Sequence, residues 1–131
     1  MPFDSPVEGY VDEVEERVTK LVRRIALTAL KGVISASPVQ DGPFRGNHHV
    51  GLTKPDHSSS SAADKSGRTT QAMGERKIGA SESYPTIWIS NAMPYANRLE
   101  NGWSKIQAPR GIYSVTFTAV MARFAHELRD A

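Results

Sequence analysis

The 131-residue chain is the size of one domain with a single hydrophobic core. Its net charge of +2, from 16 basic and 14 acidic residues, builds no overall field that would hold nucleic acid or an anionic membrane. The absence of cysteine excludes a disulfide framework, a thiolate metal site and a cysteine nucleophile.

The opening MPFDSPVEGY has neither the basic flank nor the apolar run of a signal peptide. No apolar run approaches the roughly 18 residues of a bilayer span, so a soluble protein that starts life inside a cell is expected. From Val11 onward apolar residues fall at Val14, Val18, Leu21, Val22, Ile25, Leu27, Leu30, Val33 and Ile34, the spacing of one helical face. A long helix from about Val11 to Ser35 is therefore predicted. Its acidic start (Asp12, Glu13, Glu15, Glu16) and later cations (Arg17, Lys20, Arg23, Arg24, Lys31) suit the helix dipole, and Ser37-Pro38 ends it. This charge order reads as a solvated face.

Next, Phe44, His48, Val50 and Leu52 alternate weakly as a strand. The segment from Thr53 to Ser83 is rich in Ser, Gly, Lys and Asp and reads mostly as a long mobile loop, with at most a short helix in TQAMGERKI, where Gly74 would cost about 1 kcal/mol relative to Ala. Thr86 to Ser90, TIWIS, is β-branched and aromatic and is the clearest strand. PYANRLEN begins with Pro94 and ends at Gly102, which fits a short helix with Tyr95 and Leu99 on one face and Glu100 as an exposed partner of Arg98. At the end, IYSVTFT alone would pass as a strand, but Val120, Met121, Phe124 and Leu128 and the Ala-rich TAVMARFAHELR favour a helix. The expected fold class is α+β: a long N-terminal helix and a C-terminal helix packed on a small, mainly antiparallel sheet, as one domain over residues 1–131 with a mobile loop at 53–83.

A search for chemistry finds no convergent set. His48 and His49 are adjacent and on a strand point to opposite faces, so a metal site would need one of them with His57 and Asp56. Ser90 and Ser104 lack a nucleophile-elbow context, and there is no glycine-rich phosphate loop. No catalytic, cofactor or metal residue is assigned. Trp103, a large ring on a loop of mixed polarity, suits either a partner anchor or internal packing.

Two stretches carry a resemblance. SPVQDGPFRGNH (Ser37 to His48) and ISNAMPYANRLENGWSKIQAPRG (Ile89 to Gly111) resemble the paired signature of the head-tail joining, or tail completion, proteins of long-tailed bacteriophages. In that family a Thr-Pro-Val-Asp-Thr-Gly turn and an Arg-Gly-Asn strand start follow a long first helix. An Asn-x-x-Pro-Tyr-Ala-x-x-Leu-Glu-x-Gly segment then precedes a Ser, an Ala-Pro pair and the last helix. Ser37, Pro38, Val39, Gly42, Arg45, Gly46 and Asn47 fit the first part, while Gln40, Asp41, Pro43 and His48 depart from it. Asn91, Pro94, Tyr95, Ala96, Arg98, Leu99, Glu100, Gly102, Ser104, Lys105, Gln107, Ala108, Pro109 and Gly111 fit the second, with Ile106 extra.

The resemblance implies a non-enzymatic virion protein, assembled in the host cytoplasm, that forms a homo-oligomeric ring in the neck, hexameric by likeness to the family. Its partners would be head-completion or connector proteins and tail tube or tail terminator proteins, with passing DNA touched only non-specifically and no membrane contact. Tyr95, Arg98, Trp103 and Lys105 are the expected interface residues. The alternative from another class is a small nucleic-acid-binding or metal-dependent nuclease domain that uses the loop cations with His48, His49 and His57.

Overall fold

The computed structural model of the protein describes residues 6–38, 43–60, 63–93, 96, 100 and 111–130. In chain order they form α1 (Pro6–Ala36), a 3-10 turn (Arg45–Asn47), β1 (His49–Gly51), α2 (Arg68–Gly79), β2 (Trp88–Ser90) and α3 (Tyr113–Asp130). β1 and β2 pair antiparallel, with Val50 opposite Ile89, and the helices pack on this small sheet in an α+β arrangement, the expected class.

α1 follows from its apolar spacing and starts earlier than Val11, at Pro6, since proline suits a first helical position. It ends where the Ser37 amide donates to the Ile34 carbonyl at 3.2 Å and the Ser37 hydroxyl donates to the Val33 carbonyl at 2.6 Å, just before Pro38. α1 is the base on which two layers sit. On one side Ala26, Leu30 and Ile34 pack with Val50 of β1 and Ile78 of α2. On another, Leu21 packs with Val120 and Phe124 of α3, and Arg24 reaches Glu127 at 2.7 Å. Near the C-terminal end of α1, Val33 joins Phe44 and Ile112.

α2 falls on TQAMGERKI, where the sequence allows a short helix within 53–83, and extends it slightly at both ends. Its 12 residues bury Thr70, Gly74 and Ile78, spaced four apart on one face. Only one of the three is strongly apolar, so the hydrophobic period is nearly invisible in the sequence. Ile78 is fully buried, which contributes about 1.5–3 kcal/mol. Gly74 acts in the opposite sense to its propensity: a Cβ there would overlap Leu30 Cδ2 and meet Val50 Cγ2 at 3.1 Å, so its absence lets α2 close onto α1. α3 is a helix despite the strand-like IYSVTFT, because Thr116, Val120 and Phe124 make one buried face against α1.

α2 and α3 start in the same unusual way. Neither has an acidic residue in its first turn. Each is preceded by a glycine in the left-handed region, Gly67 (φ 76°) and Gly111 (φ 87°), where any other residue would be strained. In each, a carboxylate from upstream takes the free amides: Asp64 accepts from Gly67 N at 3.2 Å and Thr70 N at 2.8 Å, and Glu100 does the same for α3.

Candidate interaction site

The four residues expected at an interface, Tyr95, Arg98, Trp103 and Lys105, lie outside the described residues, as do Leu99, Gly102 and all of the short helix expected over PYANRLEN except Ala96 and Glu100. The described parts of the two signature stretches nevertheless meet, and the site can be built from them.

Arg45, on the 3-10 turn, turns its guanidinium back over the C-terminal end of α1. Nη2 donates to the carbonyls of Ser37 at 2.7 Å and Ser35 at 3.4 Å, and Nη1 donates to the Lys65 carbonyl at 3.0 Å. A cation there satisfies orphan carbonyls and meets the negative end of the helix dipole. Asn47 is completely buried, and its side-chain amide ties two strands of loop together. Nδ2 donates to the carbonyls of Pro43 at 2.6 Å and Ser60 at 2.8 Å, and Oδ1 accepts from Ser60 N at 2.8 Å. Asn91, just after β2, donates to the Phe44 carbonyl at 2.9 Å and so fastens the second stretch to the first.

A buried chain of hydrogen bonds links α1, β1 and α3. His48 Nε2 lies 2.6 Å from Ser37 Oγ, and His48 Nδ1 lies 2.7 Å from the Tyr113 hydroxyl. Ser37 has a single proton, and the Val33 carbonyl 2.6 Å away can only accept it. The serine therefore receives Nε2–H from the imidazole, and Nδ1 receives the phenol proton from Tyr113; the network assigns the Nε2–H tautomer. Burial, reinforced by the charges of His49 and Arg45, pushes the His48 pKa down to about 3 and keeps the ring neutral. Burial, and then the Glu100 charge, pushes the Tyr113 phenol up. Ser37 is 3% exposed and His48 2%, so the pair is closed to substrate, and the serine proton points at backbone rather than at a base. The chain is a brace between three elements.

Glu100, read from the sequence as exposed beside Arg98, is instead half-buried, while Arg98 lies outside the described residues. Oε1 accepts from the amides of Ile112 at 3.0 Å and Tyr113 at 2.7 Å, and Oε2 accepts from the amide of Ser114 at 2.8 Å and its hydroxyl at 2.5 Å. Burial alone would raise its pKa, but the Ser114 hydroxyl and the three amides outweigh that and hold it below the ordinary carboxylate value. The Gly111 backbone passes so close that a Cβ would overlap the Glu100 carbonyl oxygen.

The histidines do not converge. His48 is occupied as described, His49 Nε2 lies 3.3 Å from Asn47 Oδ1, and His57 is exposed. Asp56 is held by the Ser58 amide at 2.9 Å and hydroxyl at 2.5 Å and pairs with Lys77 at 3.4 Å; the Ser58 bonds lower its pKa to about 2. Among the described residues no group of three or more His, Asp or Glu side chains is placed to hold a metal ion, and no helix is long and apolar enough to cross a membrane.

Asn47 and Asn91 are site-building residues that the sequence placed in the signature without a structural role, and Glu100 one that it placed as a partner of Arg98. For Glu100 there was one indirect signal: the last helix has no capping residue or first-turn acid of its own. No protein-family model matches the chain, and neither a curated protein nor a solved structure matches it.

Proposed function

We propose that the chain is a structural virion protein that forms a ring in the neck of a long-tailed bacteriophage, joining the DNA-filled head to the tail in a connector, tail completion or tail terminator role. It is not an enzyme in this reading. One observation carries it: the two separate stretches that resemble the family signature are fastened to each other in the fold, the matching Asn91 of the second donating to the Phe44 carbonyl in the turn that holds the matching Arg45 and Asn47 of the first. The matching Glu100 seats the start of the last helix. A signature whose residues brace one another is what a shared fold requires, whereas a chance match would scatter over unrelated surroundings.

The near-neutral charge supports the same reading, because a channel subunit that lets DNA pass should not grip it. Tyr95, Arg98, Trp103 and Lys105 remain the residues we assign to contact with the neighbouring subunit or neck proteins.

The test is direct imaging of phage necks with the subunit located by a tag, together with Trp103→Ala in the phage. The expected result is density in the neck, and for the variant a folded subunit with unjoined heads and tails. Particles whose necks lack the chain overturn the reading. An aromatic anchor buried at an interface accounts for about 2 kcal/mol or more on truncation, so normal joining by Trp103→Ala would place the contact elsewhere.

A further inference from the structure

A net charge near zero hides how the charges are arranged. From Pro6 to Glu16, α1 carries Glu8, Asp12, Glu13, Glu15 and Glu16 and no cation. α2 packs much further along, on Ala26, Leu30 and Ile34, so Asp12 stands about 27 Å along the helix from Leu30. The layer that contains α2 has the opposite sign. Between Phe44 and Gly79 lie Arg45, Lys54, Lys65, Arg68, Arg76 and Lys77 against Asp56, Asp64 and Glu75, six cations to three carboxylates.

Those three carboxylates are occupied by their own chain. Asp56 is held by Ser58 and Lys77, and Asp64 takes the amides of Gly67 and Thr70 and the Thr70 hydroxyl. Glu75 borders the outer side of α2 and accepts from Gln71 Nε2 at 2.9 Å. Lys65, Arg68 and Arg76 are exposed and have no carboxylate partner among the described residues. Arg68, Ala72 and Arg76 follow at four-residue spacing on the side of α2 turned away from the buried Thr70, Gly74 and Ile78, about 12 Å from first to last. Ala72 is exposed and small, so nothing bulky between the two arginines holds a rigid partner off the row. Lys65 stands three residues before it, fixed by its carbonyl to Arg45 Nη1 at 3.0 Å.

We propose that the row of Lys65, Arg68 and Arg76 is a contact for the phosphate backbone of duplex DNA. Separated cations with no large apolar side chain between them lack the anchor on which a protein contact depends, and suit a partner recognised by charge alone. The acidic start of α1 lies well beyond the roughly 8 Å over which charges act through physiological salt, so it does not cancel the row. Three cations per copy neutralise few phosphates and read no bases; DNA is held loosely, in no register, and can slide past. The inference deepens the neck reading and rests on it for the source of the polyanion, the DNA that passes between head and tail.

The test is the fluorescence anisotropy of a labelled duplex of about 30 base pairs titrated with the full chain at about 20–200 mM NaCl. Arg68→Gln/Arg76→Gln removes the row, and Arg123→Gln/Arg129→Gln removes the same charge from α3; circular dichroism melts check that both variants fold. The expected result is weak binding, equal for unrelated sequences, with a double-logarithmic salt slope of about −3, close to 0.9 for each of three phosphates. The α2 variant flattens that slope by about two and weakens binding about tenfold or more at low salt, while the α3 variant binds as wild type. Equal losses in both variants mean a response to net charge alone and overturn the proposal, as does wild-type binding by the α2 variant or no retention at the lowest salt. Weaker self-association of the α2 variant in sedimentation, with no DNA retention by wild type, assigns the row to the acidic start of α1 in another copy and also overturns it. A chain located in necks whose α2 ignores DNA overturns the proposal and leaves the neck reading intact. A chain absent from necks that binds DNA through Arg68 and Arg76 supports the row and overturns the neck reading.

Discussion

The Glu100 carboxylate grips Ser114 twice, taking its amide at 2.8 Å and its hydroxyl at 2.5 Å on one oxygen while the other oxygen takes the two preceding amides. A helix whose first amides are served from across the chain depends on that one side chain for its start. Glu100→Gln keeps the size but removes the charge at the positive end of the dipole, and should cost about 1–2 kcal/mol in urea unfolding. The sign with pH follows from the lowered pKa: the contribution is present above the unfolded carboxylate value and lost as pH falls through the folded one. Wild type should therefore lose its advantage over Glu100→Gln in acid. A constant gap across that range would show that the charge plays no part.

His48 makes the fold acid-sensitive at higher pH. Its pKa is about 3 in the folded state and about 6.5 when unfolded, so the folded state binds fewer protons between those values. Its neutral form favours folding fully above the unfolded pKa, and stability is lost as pH drops towards 3, at up to about 1.4 kcal/mol per pH unit. His48→Gln should be less stable at neutral pH yet show a shallower decline with acid. A decline as steep as wild type assigns the sensitivity to another group.

Tyr113→Phe removes the donor to Nδ1 and leaves a buried acceptor unsatisfied. The expected cost is about 1–3 kcal/mol at neutral pH, read from the urea midpoint with an unchanged m-value. Wild-type stability in this variant would mean that the imidazole simply rotates to another partner.

Gly74 and Gly79 make opposite predictions from the same substitution. On propensity alone, alanine at either position of α2 should stabilise, by up to about 1 kcal/mol. A Cβ at Gly79 meets nothing within 4 Å, whereas one at Gly74 overlaps Leu30, itself fully buried. Gly74→Ala is expected to destabilise by about 1–3 kcal/mol through overpacking, and Gly79→Ala to be neutral or mildly stabilising. Thermal melts that rank the two in the reverse order would remove the close approach of α2 and α1 from the account.

Leu21→Ala should cost about 2–5 kcal/mol, because Leu21 is 8% exposed and forms the seam with Val120 and Phe124. Amide exchange localises the effect: α3 loses protection first, while Leu30 and Ile78 hold α2 to α1. Near-wild-type stability would take Leu21 out of the core.

The elements legible in the sequence are those whose buried face is apolar and periodic. α1 declares itself through Leu21, Leu30, Val33 and Ile34, α3 through Val120 and Phe124, and β2 through its β-branched run. α2 was legible only as a short helix in TQAMGERKI, because its buried face is Thr70, Gly74 and Ile78, and only Ile78 counts as hydrophobic. The Glu100 cap and the Ser37–His48–Tyr113 brace were hidden for another reason: their partners are 11 to 65 residues apart, and nothing local in a sequence announces such a meeting. Of the candidate interface, Trp103 and its neighbours are proposals, while the bonds of Asn47, Asn91 and Glu100 are visible only in three dimensions.

The α1–α3 seam also sets an order of events during synthesis. Arg24 and Glu127 are 103 residues apart, so at about 5–20 residues per second a growing chain waits roughly 5–20 s between making the two halves of that seam. A helix forms in about a microsecond, so α1 is ready long before its partner exists. Leu21 and the apolar row beyond it therefore stand uncovered on the ribosome, open to chaperones and to other nascent copies, until the last helix arrives. Polysomes that crowd growing chains together would be where premature pairing of one chain with another begins.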